Sequence, residues 1–346
     1  MVGSWQPALA QIRTASGGEI GFAAMDQYLT AMMDSLKIPG ASIAIINNGT
    51  IVYERALGLA NIDSAKKVDA HTIFEAASMS KPVFAYFVMK MMQDGILKLA
   101  LDQPVYQYFP YPEIAYDDRY KLITARMLLT HTSGFPNWRE NNKLTIKFTP
   151  GTQYSYSGEG YEYLVNAVAH LTHTNSPSLD SLFQEEVVKP LGLDHFSYLR
   201  NPYLTAHKAY GYYSDSNPPN GRFKPVPIFF GASYGLHTDA HDYAGFLLAI
   251  MKEKGLKRPY LDSMLAPRVR MIEDGKPTSM FYGYGFVVDT TEYGVRYQHT
   301  GNNGNFTGGF MFFRKQQDGF ILLTNGDKGV LLDLKLAHWL TYGTKE

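Results

Sequence analysis

The sequence predicts an α+β fold: an antiparallel sheet flanked by helices, interrupted by a mainly helical insertion. Three observations predict it. Near the N-terminus, apolar β-prone runs at 41–46 and 51–57 flank Asn47-Asn48-Gly49. Asn-Gly favours the left-handed dihedrals of a tight turn, so this stretch reads as a β-hairpin. Near the C-terminus, period-two runs recur at 282–289, 295–299, 308–313 and 319–324, with short turns at Glu292-Tyr293-Gly294 and Gln316-Gln317-Asp318-Gly319. From 74 to 251 the patterning is mainly helical, with long irregular connections. One sheet built from both ends gives a discontinuous α/β domain, 1–73 with 252–346, and an inserted helical domain, 74–251.

In chain order, the first element is an amphipathic helix at 22–36, apolar at helical spacing and stopped by Pro39-Gly40. The hairpin follows, then a polar, loop-like stretch at 61–72. The run 83–97 is apolar and helix-favouring, and its helix is expected to begin at about Ser78. Pro82 fits only near that start, where N–H groups lack intrahelical partners. Helical spacing also marks 124–130, 161–171, 179–188 and 240–251, and a last helix is expected at 330–340. There is no internal repeat or low-complexity tract.

The 346 residues suffice for a large core in one or two domains. Lys plus Arg and Asp plus Glu each total 32, and this zero net charge argues against a nucleic-acid or polyanion surface. The absence of Cys excludes disulfides, thiol catalysis and Cys-ligated metals. The 25 Tyr fit either an aromatic-walled cleft or a large core with hydroxyls reaching its edge. No apolar run approaches the ~20 residues of a membrane span. No signal peptide is evident at the N-terminus. If Met1-Val2-Gly3-Ser4 replaces one, the expected compartment is periplasmic or extracellular, and otherwise cytoplasmic.

Chemistry concentrates in a few stretches. In Phe74-Glu75-Ala76-Ala77-Ser78-Met79-Ser80-Lys81-Pro82, Ser78 and Lys81 are three residues apart, on one face of a helix. A helix N-terminus gathers free N–H groups and positive dipole, which suits a nucleophile whose product carries an oxyanion. The plainer alternative is a Ser cap followed by an exposed Lys. His131, in Leu128-Leu129-Thr130-His131-Thr132-Ser133-Gly134-Phe135, reads as structural, because a lone histidine needs a partner to act. In Tyr154-Ser155-Tyr156-Ser157-Gly158, a phenol held near an ammonium group loses its proton more easily and can serve as a base; the alternative is an aromatic wall. At His299-Thr300-Gly301-Asn302, at a strand end, Gly lets a substrate approach and N–H groups can serve an oxyanion.

Two rival motifs compete. Gly231-Ala232-Ser233-Tyr234-Gly235 matches the nucleophile elbow of α/β-hydrolases, with Asp289 and His299 following in order. An elbow needs a helix directly after the Ser and a parallel sheet, and neither is expected here. His237-Thr238-Asp239-Ala240-His241-Asp242 contains metal-binding residue types, but Thr238 or Asp239 capping a helix is the simpler reading.

Taken in order, Ser78-Met79-Ser80-Lys81, Tyr156-Ser157-Gly158 and His299-Thr300-Gly301 resemble the motifs Ser-x-x-Lys, Tyr-x-Asn and Lys- or His-Thr-Gly. These belong to the penicillin-recognising serine hydrolases: class C β-lactamases, serine DD-carboxypeptidases and D-amino-acid peptidases, and β-lactamase-like esterases. The resemblance runs from about 22 to 342. It includes Leu101-Asp102-Gln103-Pro104-Val105, the stretch 129–134 and Lys189-Pro190-Leu191-Gly192-Leu193. It implies a β-lactamase/transpeptidase-like fold with its site between the two domains, no cofactor or metal, and a small ester, β-lactam or peptide substrate.

The resemblance also implies roles. Ser78 would be the acyl-accepting nucleophile, with Lys81 and Tyr156 sharing its proton. The N–H groups of Ser78 and Asn302 would form the oxyanion hole, with Thr300 and Gly301 beside the substrate. His299 would add polarity near Tyr156 and help bind an acidic or carbonyl group. Tyr234 would be a pocket wall; apart from the resemblance, the aromatic content makes Phe135 and Trp138 further wall candidates, favouring an apolar acyl or alcohol group. Gly158 stands where lactamases and peptidases carry an Asn amide. An esterase with weak β-lactamase activity is therefore expected, and Gly158→Asn should move preference toward lactams or D-peptides. The alternatives are a class C-type β-lactamase, a D-amino-acid peptidase or DD-carboxypeptidase, and a penicillin-binding sensor without turnover.

Overall fold

In this computed structural model, which describes residues 11–215 and 221–345, the Asn-Gly hairpin is built from β3 (Gly40–Asn47) and β4 (Thr50–Asn61). Asn48 and Gly49 at its tip have φ of 49° and 69°, the positive values that a two-residue type I′ turn needs. Ahead of it lie a small antiparallel pair, β1 (Gln11–Arg13) and β2 (Glu19–Gly21), and helix α1 (Phe22–Leu36). Met1-Val2-Gly3-Ser4 lie outside the described residues.

The remaining strands are β5 (Lys66–Lys67), β6 (Phe74–Glu75), β7 (His237–Thr238), β8 (Val269–Glu273), β9 (Lys276–Tyr282), β10 (Val287–Thr291), β11 (Gly294–Asn302), β12 (Thr307–Phe313) and β13 (Asp318–Thr324). Nine of these strands form one antiparallel sheet in the order β5-β4-β3-β13-β12-β11-β10-β9-β8. The two chain ends meet where β13 pairs with β3, Ile321 opposite Ala44.

Two strand expectations need correction. The run 282–289 is not one strand: β9 ends at Tyr282 and β10 starts at Val287. Gly285, at φ +83°, interrupts the pairing where the chain crosses the start of helix α2 (Ser80–Gln93). A Cβ there would come within 2.7 Å of Pro82 Cα, so only Gly fits. The hairpin of β8 and β9, turning at Asp274-Gly275, was not anticipated, because charged and polar residues dilute its alternation.

The other helices are α3 (Ala125–Leu129), α4 (Gly158–Leu171), α5 (Ser176–Phe183), α6 (Lys189–Leu191), α7 (Pro202–His207), α8 (Ala240–Met251), α9 (Arg258–Leu265) and α10 (Gly329–Tyr342). Helix α2 stops at Gln93 rather than at 97, because the N–H groups of Ile96 and Leu97 fold back onto Met91 O. The π turn Gln184–Val188 joins α5 to α6. Neither α7 nor α9 was expected.

The sheet is covered on both faces. Ile43 and Ile45 of β3, with Phe320 and Leu322 of β13, pack under α1 and α10 beside Leu29 and Trp339. The alternate residues Ala44, Ile46, Ile321 and Leu323 belong to the opposite core, which includes Phe246, Leu247 and Ile250 of α8 and most of α2. Period two thus places successive side chains in different cores, as strands buried on both faces require. Helix α8, grouped by sequence with the inserted part, packs on β3 and β13. No helix among the described residues is long and apolar enough to cross a membrane.

Candidate active site

Ser78 lies in a 3₁₀ turn, Ala77–Met79, two residues ahead of α2 rather than in its first turn. The turn is held from several sides. β6 pairs with β7, Ala76 N–H donates to Leu236 O at 2.9 Å, and Leu236 N–H donates to Ser80 Oγ at 3.0 Å. The Tyr243 and Tyr198 hydroxyls donate to the carbonyls of Met79 and Ser80, at 2.9 and 2.8 Å. Ala77 sits at φ 49°, a left-handed conformation that costs a non-Gly residue roughly 1 kcal/mol and that these contacts enforce. Gly301 of β11 faces the same turn. A Cβ on it would lie 2.5 Å from Ala76 O, so Gly is what lets the strand close on Ser78.

Lys81 is buried, with Nζ 3.1 Å from Ser78 Oγ and donating to Ser233 O at 2.8 Å. Burial lowers its pKa to about 7, against a partial upward pull from the Glu162 carboxylate. Tyr156 differs from expectation. The Lys81 ammonium lies over the ring face, 4.6 Å from the centroid, and burial raises the phenol pKa, with the Ser78 hydrogen bond lowering it only in part. Tyr156 is therefore held neutral, and Lys81 is the group whose proton is loosened.

His299 is buried, and burial, reinforced by Lys81, lowers its pKa to about 3. Its Nδ1 lies 2.6 Å from Thr300 O, which can only accept, so Nδ1 carries the proton. Nε2 then accepts from the Tyr282 hydroxyl at 3.0 Å. Both nitrogens are occupied and the ring is neutral, so the expected grip on an acidic group is not available to it. His131 is structural in its contacts. Its carbonyl accepts from Ser155 N–H at 2.8 Å, its Nδ1 accepts from Ser157 N–H at 3.0 Å, and its ring lies 4.3 Å from that of Tyr156.

Ser78, Tyr156, His299, Thr300 and Asn302 open onto one cavity of about 630 Å³, lined also by Asn137, Tyr154, Glu273 and Tyr282. Tyr234 does not line it. Tyr234 borders a neighbouring cavity of about 220 Å³ with Glu75, His237 and Asn303, and its ring meets that of Trp138 at 5.6 Å. Trp138 is half exposed, and Phe135 is a core residue packed on Tyr163. Of the three wall candidates only Phe135 changes, because the loop after Gly134 turns it into the core.

Ser233 is fully buried in a turn, with no helix following it directly. Its Oγ and N–H both donate to Glu162 Oε1, at 2.6 and 3.0 Å. The antiparallel sheet also lacks the parallel βα units of an elbow. Asp239 caps α8, accepting from Asp242 N–H at 2.9 Å. Ligand atoms of His195, Asp239 and Asp242 lie within 4.8 Å of one another. They are engaged with each other and with backbone: His195 Nδ1 is 2.7 Å from Asp239 Oδ2, and Asp242 Oδ2 accepts from Asp194 N–H at 2.8 Å.

Sequence reasoning missed Glu162, Asn137 and the role of Glu159. Glu162 stands out as a carboxylate within the apolar run of α4, which is the signal that was there to read. Glu159 is buried and accepts from Arg139, Nη2 at 2.6 Å and Nε at 3.0 Å, so it points away from the cavity. Gly158 has no space for a side chain: a Cβ would lie 2.9 Å from both Asn137 O and the Trp138 ring.

An antiparallel sheet flanked by helices on both faces, with a Ser-x-x-Lys turn under one strand, defines the β-lactamase/transpeptidase-like class of fold. The chain belongs to the Beta-lactamase family, whose model matches residues 25–340; members of this fold family are serine hydrolases. Among curated relatives, Protein flp of Staphylococcus aureus (strain NCTC 8325 / PS 47) is 24% identical over 306 residues, covering 83% of this chain and 60% of that protein. The chain thus spans about three fifths of such relatives. Esterase EstB of Burkholderia gladioli is 35% identical over 118 residues, 34% of this chain and 29% of EstB. The octameric penicillin-binding protein homologue from Pyrococcus abyssi superposes with a TM-score of 0.78 at 21% identity, covering 93% of this chain and 77% of that one. D-alanine carboxypeptidase AmpC from Burkholderia cenocepacia gives 0.75 at 18% identity, covering 91% and 96%. At these identities the structures share the fold.

Proposed function

We propose that this chain hydrolyses short-chain esters through an acyl-enzyme on Ser78, with weak β-lactamase activity. The observation that carries the reading is the 3.1 Å contact of Ser78 Oγ with Lys81 Nζ, a lysine whose pKa is lowered to about 7. Near neutral pH a substantial fraction of Lys81 is then unprotonated and able to take the hydroxyl proton as Ser78 attacks the carbonyl carbon. The N–H groups of Ser78 and Asn302 stabilise the oxyanion. As the tetrahedral adduct collapses, Tyr156 hands its proton to the leaving group and recovers one from Lys81. Water then attacks the acyl-enzyme as Lys81 accepts its proton, the bond to Ser78 Oγ breaks as Lys81 returns that proton to the serine oxygen, and the acid departs. The site lies between the two domains proposed from the sequence, 1–73 with 252–346 and 74–251.

Ester preference is supported by the similarity to Esterase EstB and by leaving-group chemistry. An amide must protonate its nitrogen as it leaves, whereas an alkoxide leaves more readily, so an ester tolerates a less exact site. A fluorophosphonate followed by peptide mass spectrometry should place the adduct on Ser78; an adduct on Ser233 overturns the reading. Turnover of p-nitrophenyl butyrate, nitrocefin and D-amino-acid amides then ranks the substrate classes. A burst of product without turnover would identify a sensor instead.

A further inference from the structure

Glu75 ends β6 shortly before Ser78, and Asn303 directly follows Asn302 at the end of β11. The Glu75 side chain is buried, and its Oε2 accepts from Asn303 Nδ2 at 2.7 Å. A carboxylate can only accept, so the amide orientation is fixed with Nδ2 toward Glu75. Lys208, also buried, donates from Nζ to Glu75 Oε1 at 2.7 Å and to the Lys224 carbonyl. Lys224 Nζ donates in turn to Asn303 O at 3.2 Å. Burial raises the Glu75 pKa, but the Lys208 charge and the hydrogen bonds Glu75 accepts outweigh it and keep the carboxyl ionised. A buried ion pair is a poor stabiliser, because desolvation offsets much of its attraction. What this pair fixes is the spacing of two segments. At Gly301 the strand meets the Ala76 carbonyl as closely as a residue without a Cβ allows, which is a steric stop. Just beyond, the Glu75–Asn303 bond ties the same segments together. Glu75 and Asn303 border the cavity of about 220 Å³ rather than the one onto which Ser78 opens, so they do not meet a substrate seated on Ser78.

Resting on the acyl-enzyme reading, we propose that the Glu75–Asn303 hydrogen bond positions the oxyanion hole, holding the Asn302 N–H at the separation from the Ser78 N–H that a tetrahedral oxyanion requires. Glu75 and Asn303 are positioning residues, acting through these two main-chain donors, and Lys208 keeps Glu75 charged and aimed. Oxyanion stabilisation relies on donors fixed in advance, and a displacement of about 1 Å costs on the order of 10²-fold in rate.

The test is Asn303→Leu, which removes the donor at similar volume and leaves Glu75 with Lys208. The hole serves acylation and deacylation alike, so kcat for p-nitrophenyl butyrate should fall about 10–100-fold with KM unchanged. Affinity for benzeneboronic acid, whose tetrahedral adduct on Ser78 Oγ places an oxygen in the hole, should fall by a similar factor. The rise of kcat/KM with pH through about 7 should stay in place, because Lys81 is untouched. Asn303→Asp, an isostere that sets a second carboxylate against Glu75, should lose at least as much. Native kcat and boronate affinity in either folded variant overturn the inference while leaving the hydrolase reading intact. So does a loss with a displaced pH profile, which would mark a general disturbance of the Ser78 turn. Failure of the native protein to turn over p-nitrophenyl butyrate overturns the hydrolase reading, and this inference with it.

Discussion

Lys81 Nζ donates to the main-chain carbonyl of Ser233 at 2.8 Å, so the segment that imitates a nucleophile elbow positions the lysine instead. The Ser233 hydroxyl is turned the other way, onto Glu162. Glu162, Ser233 and Lys81 form one chain of contacts ending at Ser78 Oγ. It places a carboxylate where it can adjust the lysine without touching Ser78.

The first prediction is a pH–rate profile. Lys81 acts as a base only when neutral, so kcat/KM should be low below its pKa and rise as pH passes through about 7. Lys81→Ala should lower kcat by roughly 10²–10⁴-fold and remove that limb, leaving a flat residual rate over the same range. A native profile flat between pH 5 and 9, on the order of two units either side of the lysine value, would exclude Lys81 as the base.

The second prediction concerns Glu162. Its charge raises the Lys81 pKa, so Glu162→Gln, which keeps an oxygen for Ser233, should move the acid limb to lower pH. A limb unmoved in a folded variant would show that burial alone sets the lysine.

Much of the fold was legible because its signals are local. Asn48-Gly49 dictates its own turn, and the apolar spacing of α1 and α8 gives their limits as observed. The pieces that escaped depend on distant partners. The break between β9 and β10 comes from Gly285 meeting Pro82, and the charged faces of β8 and α9 hide their periodicity. The same holds at the site. Motif order brings Ser78, Lys81, Tyr156 and His299 to mind together, but the direction of the Tyr156 shift follows from burial, which no spacing reveals. The state of His299 follows from Tyr282 and the Thr300 carbonyl in the same way.

The third prediction tests Tyr156 as a proton donor. p-Nitrophenolate leaves without protonation, whereas an alkoxide needs a proton as it departs. Tyr156→Phe should therefore reduce kcat far more for an alkyl butyrate than for p-nitrophenyl butyrate. In the double variant with Lys81→Ala, the losses should be strongly non-additive, as for groups acting as a unit. Equal losses on both esters would argue that Tyr156 acts before leaving-group departure.

The last prediction concerns Gly158. On motif grounds alone, Gly158→Asn should restore an amide and improve β-lactam turnover. The structure opposes this. The new Cβ would meet the Asn137 carbonyl and the Trp138 ring, both at 2.9 Å, and the carbonyl is backbone that also accepts from Gly158 and Glu159 N–H. Relief means moving the 137–138 loop off the start of α4, which breaks those bonds and the one from Gly158 N–H to Asn137 Oδ1. Gly158→Asn should lose about 1–3 kcal/mol of stability, as overpacking does, and gain no nitrocefin activity. Urea unfolding measures the first and nitrocefin turnover the second. A stable Gly158→Asn protein with raised nitrocefin kcat/KM would show that the loop yields, and that the missing side chain rather than the leaving group limits β-lactam turnover.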